Sequence, residues 1–280
     1  MSLLLQISDT HFGTEQPRVV EALVALAQAL QPDLVVLSGD ITQRARRSEF
    51  ASARRFMARL DGPPTLVLPG NHDIPLFNLV ARVVNPYGNH RRSFGTPLAP
   101  VIETPECLVI GVNTTRPWRH KDGEVSADQI EHVSQRLRVA PPEQLRIVVT
   151  HQPLHVPDQR DAHNLLHGHE AAARAWAAAG ADVVMGGHIH RPYVRSVRDR
   201  FPDLLRELWC VQAGTAVSSR IRQEAPNSVN VLQYDARQRP SQCEVTRWDY
   251  AAGVDEGFKP VESTTITLDR AGLPSTREEP

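Results

Sequence analysis

The 280-residue chain predicts an α/β fold from two patterns. Through the first two thirds, short runs of Val, Leu and Ile alternate with segments of helical periodicity, which implies βαβ units. After about Arg191, strand-like runs follow one another without helices between them, which suggests antiparallel pairing. The first run, Leu3 to Ile7, reads as a strand buried on both faces. Val19, Val20, Leu23, Leu26, Ala27 and Leu30 then recur at helical spacing. Leu34 to Leu37 is the second strand, and Phe50, Ala53, Phe56, Met57 and Leu60 mark the second helix. Leu66 to Leu68 and Leu108 to Val112 are further strands. Ser126 is placed to cap a helix running through Leu137. Ile147 to Val149 precedes an Ala-rich helix from about Glu170 to Ala179, stopped by Gly180, and Val183 to Met185 follows. The later strands are Leu208 to Val211, Val229 to Tyr234, Glu244 to Tyr250 and Thr264 to Leu268. The prolines at 63–64 and 141–142 read as loops entering strands. There is no internal repeat, so one domain over residues 1–270 is expected, with a loose polar tail over 271–280.

Composition narrows the function classes. At 41% hydrophobic and 22% charged residues the chain can bury a substantial core. A net charge of −1 removes the global basicity that draws in nucleic acid, which makes nucleic acid a less favoured partner. Three scattered cysteines without a CxxC spacing argue against a disulfide framework or a thiolate zinc site. They suit a reducing compartment. The apolar run at the N-terminus is too brief for a signal peptide, and no run reaches the length of a membrane span. A cytoplasmic location and no membrane partner are therefore expected. The oligomeric state stays open, because the strands after residue 191 can pair across a dimer as easily as within one chain.

The chemistry sits where strands end. Asp9 and His11 follow the first strand, Asp40 the second through Gly39, and Asn71 and His72 the third through Pro69-Gly70. His151 ends the strand at 147–149, and His188 and His190 follow Val183 to Met185 through Gly186-Gly187. The carboxyl ends of α/β strands form a shared crevice, so these residues should converge. Two-residue spacing in Asp9/His11 and His188/His190 points both members of each pair to one side. Carboxylate, imidazole and amide oxygen together favour first-row ions such as Mn, Fe or Zn. Asp40, with two oxygens, can bridge two ions at ~3.5–4 Å. A hydroxide held by such a pair would attack phosphorus in line, with no protein nucleophile.

The ordered blocks Asp9-Thr-His11, Gly39-Asp40, Gly70-Asn-His-Asp73, His151 and Gly187-His-Ile-His190 resemble those of the calcineurin-like metallophosphoesterase superfamily. The resemblance spans roughly residues 3–190, and it implies a two-sheet β-sandwich flanked by helices, a four-layer αββα fold. It implies Asp9, His11 and His190 on one metal ion, Asn71, His151 and His188 on the other, and Asp40 between them. It makes His72 the catalytic histidine, donating a proton or hydrogen bond on the leaving-group side, with Asp73 orienting it. Gly-Asp40-Ile-Thr-Gln lacks the GDxVDRG pattern of Ser/Thr protein phosphatases, and Thr42 to Arg44 lack the tyrosine ligand of purple acid phosphatases. His72 stands where the lipid A pathway's UDP-sugar pyrophosphatases carry Arg. The class III cyclic-nucleotide phosphodiesterases and their bacterial relatives are most similar, which implies a phosphodiesterase acting on a small phosphodiester. The alternatives are a nuclease of the DNA-repair exonuclease type and a non-catalytic scaffold.

Asn113, Arg116, Arg119 and His120, after the strand at 108–112, are candidates for gripping substrate phosphate. Arg91-Arg92 and Arg220/Arg222 are weaker candidates, and Trp118 offers a face for stacking. His163-Asn-Leu-Leu-His167-Gly-His169 carries three imidazoles, and a loop or cap beside the site suits it better than a third metal site. His155 lies four residues past His151 and is a further candidate for the pocket wall.

Overall fold

A computed structural model describes residues 1–60, 62–222 and 225–270. The expected tail, 271–280, lies outside the described residues. Twelve strands and six α-helices are described. In order they are β1 (Ser2–Ile7), α1 (Pro17–Leu30), β2 (Leu34–Leu37), α2 (Arg47–Ala58), β3 (Thr65–Val67), α3 (Leu79–Val84), α4 (Gly88–Phe94), β4 (Val101–Glu103) and β5 (Cys107–Gly111). Then come α5 (Ala127–Arg138), β6 (Leu145–Val149), α6 (His169–Ala179), β7 (Val183–Gly186), β8 (Tyr193–Ser196), β9 (Trp209–Gln212), β10 (Ser228–Tyr234), β11 (Gln242–Ala251) and β12 (Gly257–Thr267).

The strands form two six-stranded sheets, ordered β12-β11-β10-β1-β2-β3 and β4-β5-β6-β7-β9-β8. Alternation along each strand builds the layers. Leu4, Val36 and Leu66 from one sheet meet Val109, Ile147 and Met185 from the other in a core between the sheets. Their neighbours Leu5, Ile7, Val35 and Leu37 turn outward onto α1 and α2. Leu108, Ile110, Val148 and Val184 turn outward onto α5 and α6. The result is a four-layer αββα sandwich, as the family resemblance implies.

Helix ends follow their local chemistry. Pro17 opens α1, where its missing N–H costs nothing. Ser126 caps α5 through Gln129 N at 3.2 Å, and the Gln129 side chain reaches back to Ser126 N at 3.1 Å. Gly180, at φ 100°, ends α6.

Two expectations need correction. β9, the run at 208–211, pairs parallel with β7 and antiparallel with β8, so it belongs to the βαβ sheet and not to the later antiparallel set. That set is β10, β11 and β12, which joins the first sheet because β10 lies antiparallel to β1. Secondly, residues 79–94 carry two helices that the apolar periodicity did not predict.

Candidate metal centre

The parallel strands β1, β2, β3, β6 and β7 all deliver polar residues to one edge of the sandwich. The backbone there is held in an unusual conformation. Asp9, His11, Asp40, His188 and His190 all have positive φ, from 40° to 71°. A non-glycine residue in the left-handed region costs on the order of 1 kcal/mol or more, and a cluster of them points to a site. The loops also touch. A Cβ on Gly187 would lie 2.0 Å from Ser8 Oγ and 2.2 Å from Asp9 Oδ2, and one on Gly70 would lie 2.1 Å from Asp40 N. Neither position has room for a side chain, because Gly187 lies against the Ser8 and Asp9 side chains and Gly70 against the Asp40 backbone.

Six side chains meet at this edge, and Asn71 lines the same cleft. Asp9, His11, Asp40 and His190 bring ligand atoms within 4.8 Å of one another, and so do Asp40, His151 and His188. Asp40 belongs to both groups. Its Oδ2 lies 3.7 Å from His11 Nε2 and its Oδ1 3.3 Å from His151 Nε2. His190 Nε2 lies 3.3 Å from Asp9 Oδ1 and 3.1 Å from His11 Nε2. Two imidazole nitrogens face to face at that distance need a proton or a cation between them. It is also about the spacing of two ligands each ~2.1 Å from one ion.

The remaining hydrogen bonds fix the tautomers. His151 Nδ1 donates to Ser38 O at 2.9 Å and His190 Nδ1 to Arg220 O at 2.5 Å, which turns both Nε2 atoms inward. Asp9 accepts the His188 backbone N–H on both oxygens, at 3.0 and 3.2 Å. Asn71 Oδ1, His151 Nε2 and His188 Nδ1 are buried and have no hydrogen-bond partner. Burial pushes His11 and His188 down to about 3, so both are neutral at ordinary pH. Burial also works against a charge on His151, but Asp40 outweighs it and raises that imidazole to about 9. These orphaned nitrogen and oxygen atoms around buried carboxylates fit divalent cations.

The calcineurin-like phosphoesterase family model matches residues 3–192, which carry every block of this site. The chain belongs to that family. Like other members of this family it is a metal-dependent phosphoric ester hydrolase. Among curated relatives, a probable glycerophosphodiester phosphodiesterase of Arcobacter nitrofigilis is 26% identical over 68% of this chain and 72% of that protein. A probable cyclic nucleotide phosphodiesterase of Synechococcus is 24% identical over 69% of this chain and 74% of that protein. Among solved structures, a purple acid phosphatase from yellow lupin superposes with a TM-score of 0.69 at 15% identity, over 96% of this chain and 54% of its own. A dimetal phosphatase from Danio rerio superposes with a TM-score of 0.63 at 14% identity, over 96% of this chain and 99% of its own. Both superpositions support the fold alone.

The site differs from the sequence reading around the seven. The carboxylate of Asp73 is not on the His72 imidazole. It accepts from Ile41 N, Thr42 N, Thr42 Oγ1 and Gly70 N at 2.8–3.0 Å, tying the β2 loop to the β3 loop. Burial, and then Asp40, raise it to about 6. The partners of His72 are Gln43 O, 3.0 Å from Nδ1, and Arg220 Nη1, 3.2 Å from Nε2.

Three of the four proposed phosphate-gripping residues are engaged elsewhere. Asn113 Oδ1 accepts from Thr115, Arg116 binds Gln129 Oε1 at 2.7 Å and two carbonyls, and Arg119 holds Glu124 at 2.9 Å. Their loop is stitched to the start of α5. Of the four only His120 comes near the site, lining a smaller hollow beside His72 and Arg220. The main cleft, about 430 Å³, is walled instead by Lys121, His163, Asn164, Arg220 and Arg222. Arg222 is paired with buried Asp161. His163 thus joins the wall. His167 stands 4.0 Å from Asp122 and His169 Nδ1 bonds Leu166 O, so the three imidazoles do not converge. His155 is buried, with both ring nitrogens unpartnered, and does not line the cleft. Trp118 is exposed.

Proposed function

We propose that the chain is a binuclear phosphodiesterase acting on small phosphodiesters. The observation that carries this reading is Asp40, shared by two ligand groups, beside the buried and unpartnered Asn71 Oδ1 and His188 Nδ1. Asp9, His11 and His190 would hold one ion, Asn71, His151 and His188 the other, with Asp40 between. Mn, Fe or Zn suits this mixed donor set. When bound, such a pair supplies the charge that draws phosphate oxygens and activates water for in-line attack.

The chain's own residues do the rest. Lys121 and Arg220 bring positive charge to a cleft of a size suited to a small ester. His72 donates Nδ1–H to Gln43 O and accepts from Arg220 on Nε2. To protonate a leaving alkoxide it must carry a second proton on Nε2, and Arg220 must then turn away. A phosphate oxygen is the natural destination for that guanidinium, so binding the substrate frees His72 to act as acid. Asp73 contributes by fixing the loops that carry Asp40 and Asn71. The names of the Arcobacter and Synechococcus relatives support glycerophosphodiesters and cyclic nucleotides as the substrates to try first.

The test is hydrolysis of bis-p-nitrophenyl phosphate beside p-nitrophenyl phosphate, after chelation and Mn²⁺ re-addition. Diester turnover that returns with metal supports the proposal. A monoester preference would overturn the diesterase reading, and activity indifferent to chelation would overturn the metal centre.

A further inference from the structure

The α3 helix is turned inside out. Leu79, Val80, Val83 and Val84 sit at i, i+1, i+4 and i+5, one stripe of a helix, and are 69–81% exposed. Its one charged residue, Arg82, points inward and donates to Pro75 O at 3.1 Å and Arg119 O at 2.8 Å. Phe77, 77% exposed, extends the stripe at the N-terminal end. Trp118 sits next to the Arg119 carbonyl that Arg82 holds, so the same rim carries an exposed indole.

The charge around this stripe has one sign. Residues 74–102 contain Arg82, Arg91 and Arg92 and no Asp or Glu, in a chain whose net charge is −1. Arg44, Arg46 and Arg47 face Phe77 and Asn78 across a shared hollow, with the Arg44 guanidinium 5.2 Å from the Phe77 ring centroid. The nearest acid in that loop, Glu49, is buried and accepts the backbone N–H groups of Arg44 and Arg46. Arg46 is partly offset by Glu49 at 4.0 Å, but the exposed aliphatic side chains, an aromatic at each side and the excess of arginine form the profile of a face that lies on an anionic lipid surface. A second copy fits less well, because a two-fold contact would set these arginines against themselves. The rim lies beside the cleft, since Leu76 and Arg82 line a hollow that shares Asn71, His72 and Arg220 with it.

We propose that the α3 face docks on anionic lipid bilayers and presents the cleft to phosphodiesters at the membrane surface. The absence of a membrane-spanning run in the sequence does not bear on this, since a surface patch needs none. The docking is independent of the metal centre, and it is read without turnover.

The experiment is flotation of the full chain with phosphatidylcholine vesicles, with and without 30 mol% phosphatidylglycerol, at ~50 mM salt. The expected result is a partition at least ~10-fold higher on the anionic vesicles, lost on raising salt. V80E/V83E should cut it ~10-fold or more, and R91Q/R92Q should weaken it for anionic vesicles. Both variants alter exposed side chains, and circular dichroism confirms that they fold. No flotation of the parent chain at low salt would overturn the proposal and leave the face to an acidic protein partner. So would equal flotation of V80E/V83E. A dimer in sedimentation that V83E dissociates, without lipid binding, would assign the face to self-association instead.

Discussion

The two halves of the proposed ligand shell are built differently. Around Asp9, the inward atoms touch one another: His190 Nε2 lies 3.3 Å from Asp9 Oδ1, and the His188 backbone N–H lies on both Asp9 oxygens. In the other half only His151 Nε2 meets a carboxylate, 3.3 Å from Asp40 Oδ1, while Asn71 Oδ1 and His188 Nδ1 are buried without a hydrogen-bond partner. The first half compensates part of its own burial through carboxylate and imidazole. The second depends on an external cation to avoid the cost of unsatisfied polar atoms, on the order of 1–3 kcal/mol each. Occupancy and stability should therefore be more tightly linked in the second half.

The largest expected effect comes from Asp40→Ala, which removes the one residue common to both halves. Diester hydrolysis should fall by at least about a thousandfold, with bound metal dropping below one ion per chain. Atomic emission beside kinetics checks this, and a variant that kept two ions would refute the bridging role. Asn71→Ala is narrower. It should lower metal content toward one ion and activity by about 10–100-fold. It should also shrink the stabilisation that excess Mn²⁺ gives the chelated protein, about 2.7 kcal/mol at a hundredfold excess over Kd. If thermal melts showed the same metal-induced shift in Asn71→Ala as in the parent, the two halves would not differ as described.

Gly187→Ala probes the packing that the two halves share. The new Cβ would lie 2.2 Å from Asp9 Oδ2, so the loop must shift. Overpacking of this kind costs about 1–3 kcal/mol. Denaturant melts should show that loss even after chelation, because the clash does not involve a metal. A loss confined to the metal-loaded protein would mean that Gly187 serves coordination and not packing.

The proposed ligands were legible in the sequence because each follows an apolar run that ends at the same sheet edge. The run supplies the strand and the motif supplies the ligand. Residues around the ligands were harder to place. Asp73 immediately follows His72, yet its side chain turns to Ile41 and Thr42 because four N–H and O–H donors wait there. Arg116 and Arg119 look like phosphate ligands until Glu124, on the far side of the turn, claims them. Arg220 lies 30 residues past the last motif, and its position depends on β10 pairing antiparallel to β1. The α3 helix escaped detection because its six residues are too few for a helical period to register.

The smallest effect tests whether an orphaned imidazole is by itself a sign of a metal site. His90 is buried with both ring nitrogens unpartnered, like the ligands, but it packs against Phe50 and Phe94 and no carboxylate faces it. Burial, and then Arg91, lower it from 6.5 to about 4. The folded state thus prefers the neutral ring. Its contribution is fully present above pH 6.5 and is lost as pH falls toward 4, where the unfolded chain binds a proton that the folded chain refuses. The slope across that window is on the order of 1.4 kcal/mol per pH unit. His90→Phe removes the titrating group and should flatten this slope, so its melting temperature gains on the parent steadily from pH 7 to pH 5. Metal content should stay unchanged, because what distinguishes the ligands from His90 is the company of Asp9 and Asp40. Parallel pH curves for the two proteins would mean that His90 is not protonated on unfolding in this range. A loss of metal in His90→Phe would mean that burial without a carboxylate is enough to make a ligand.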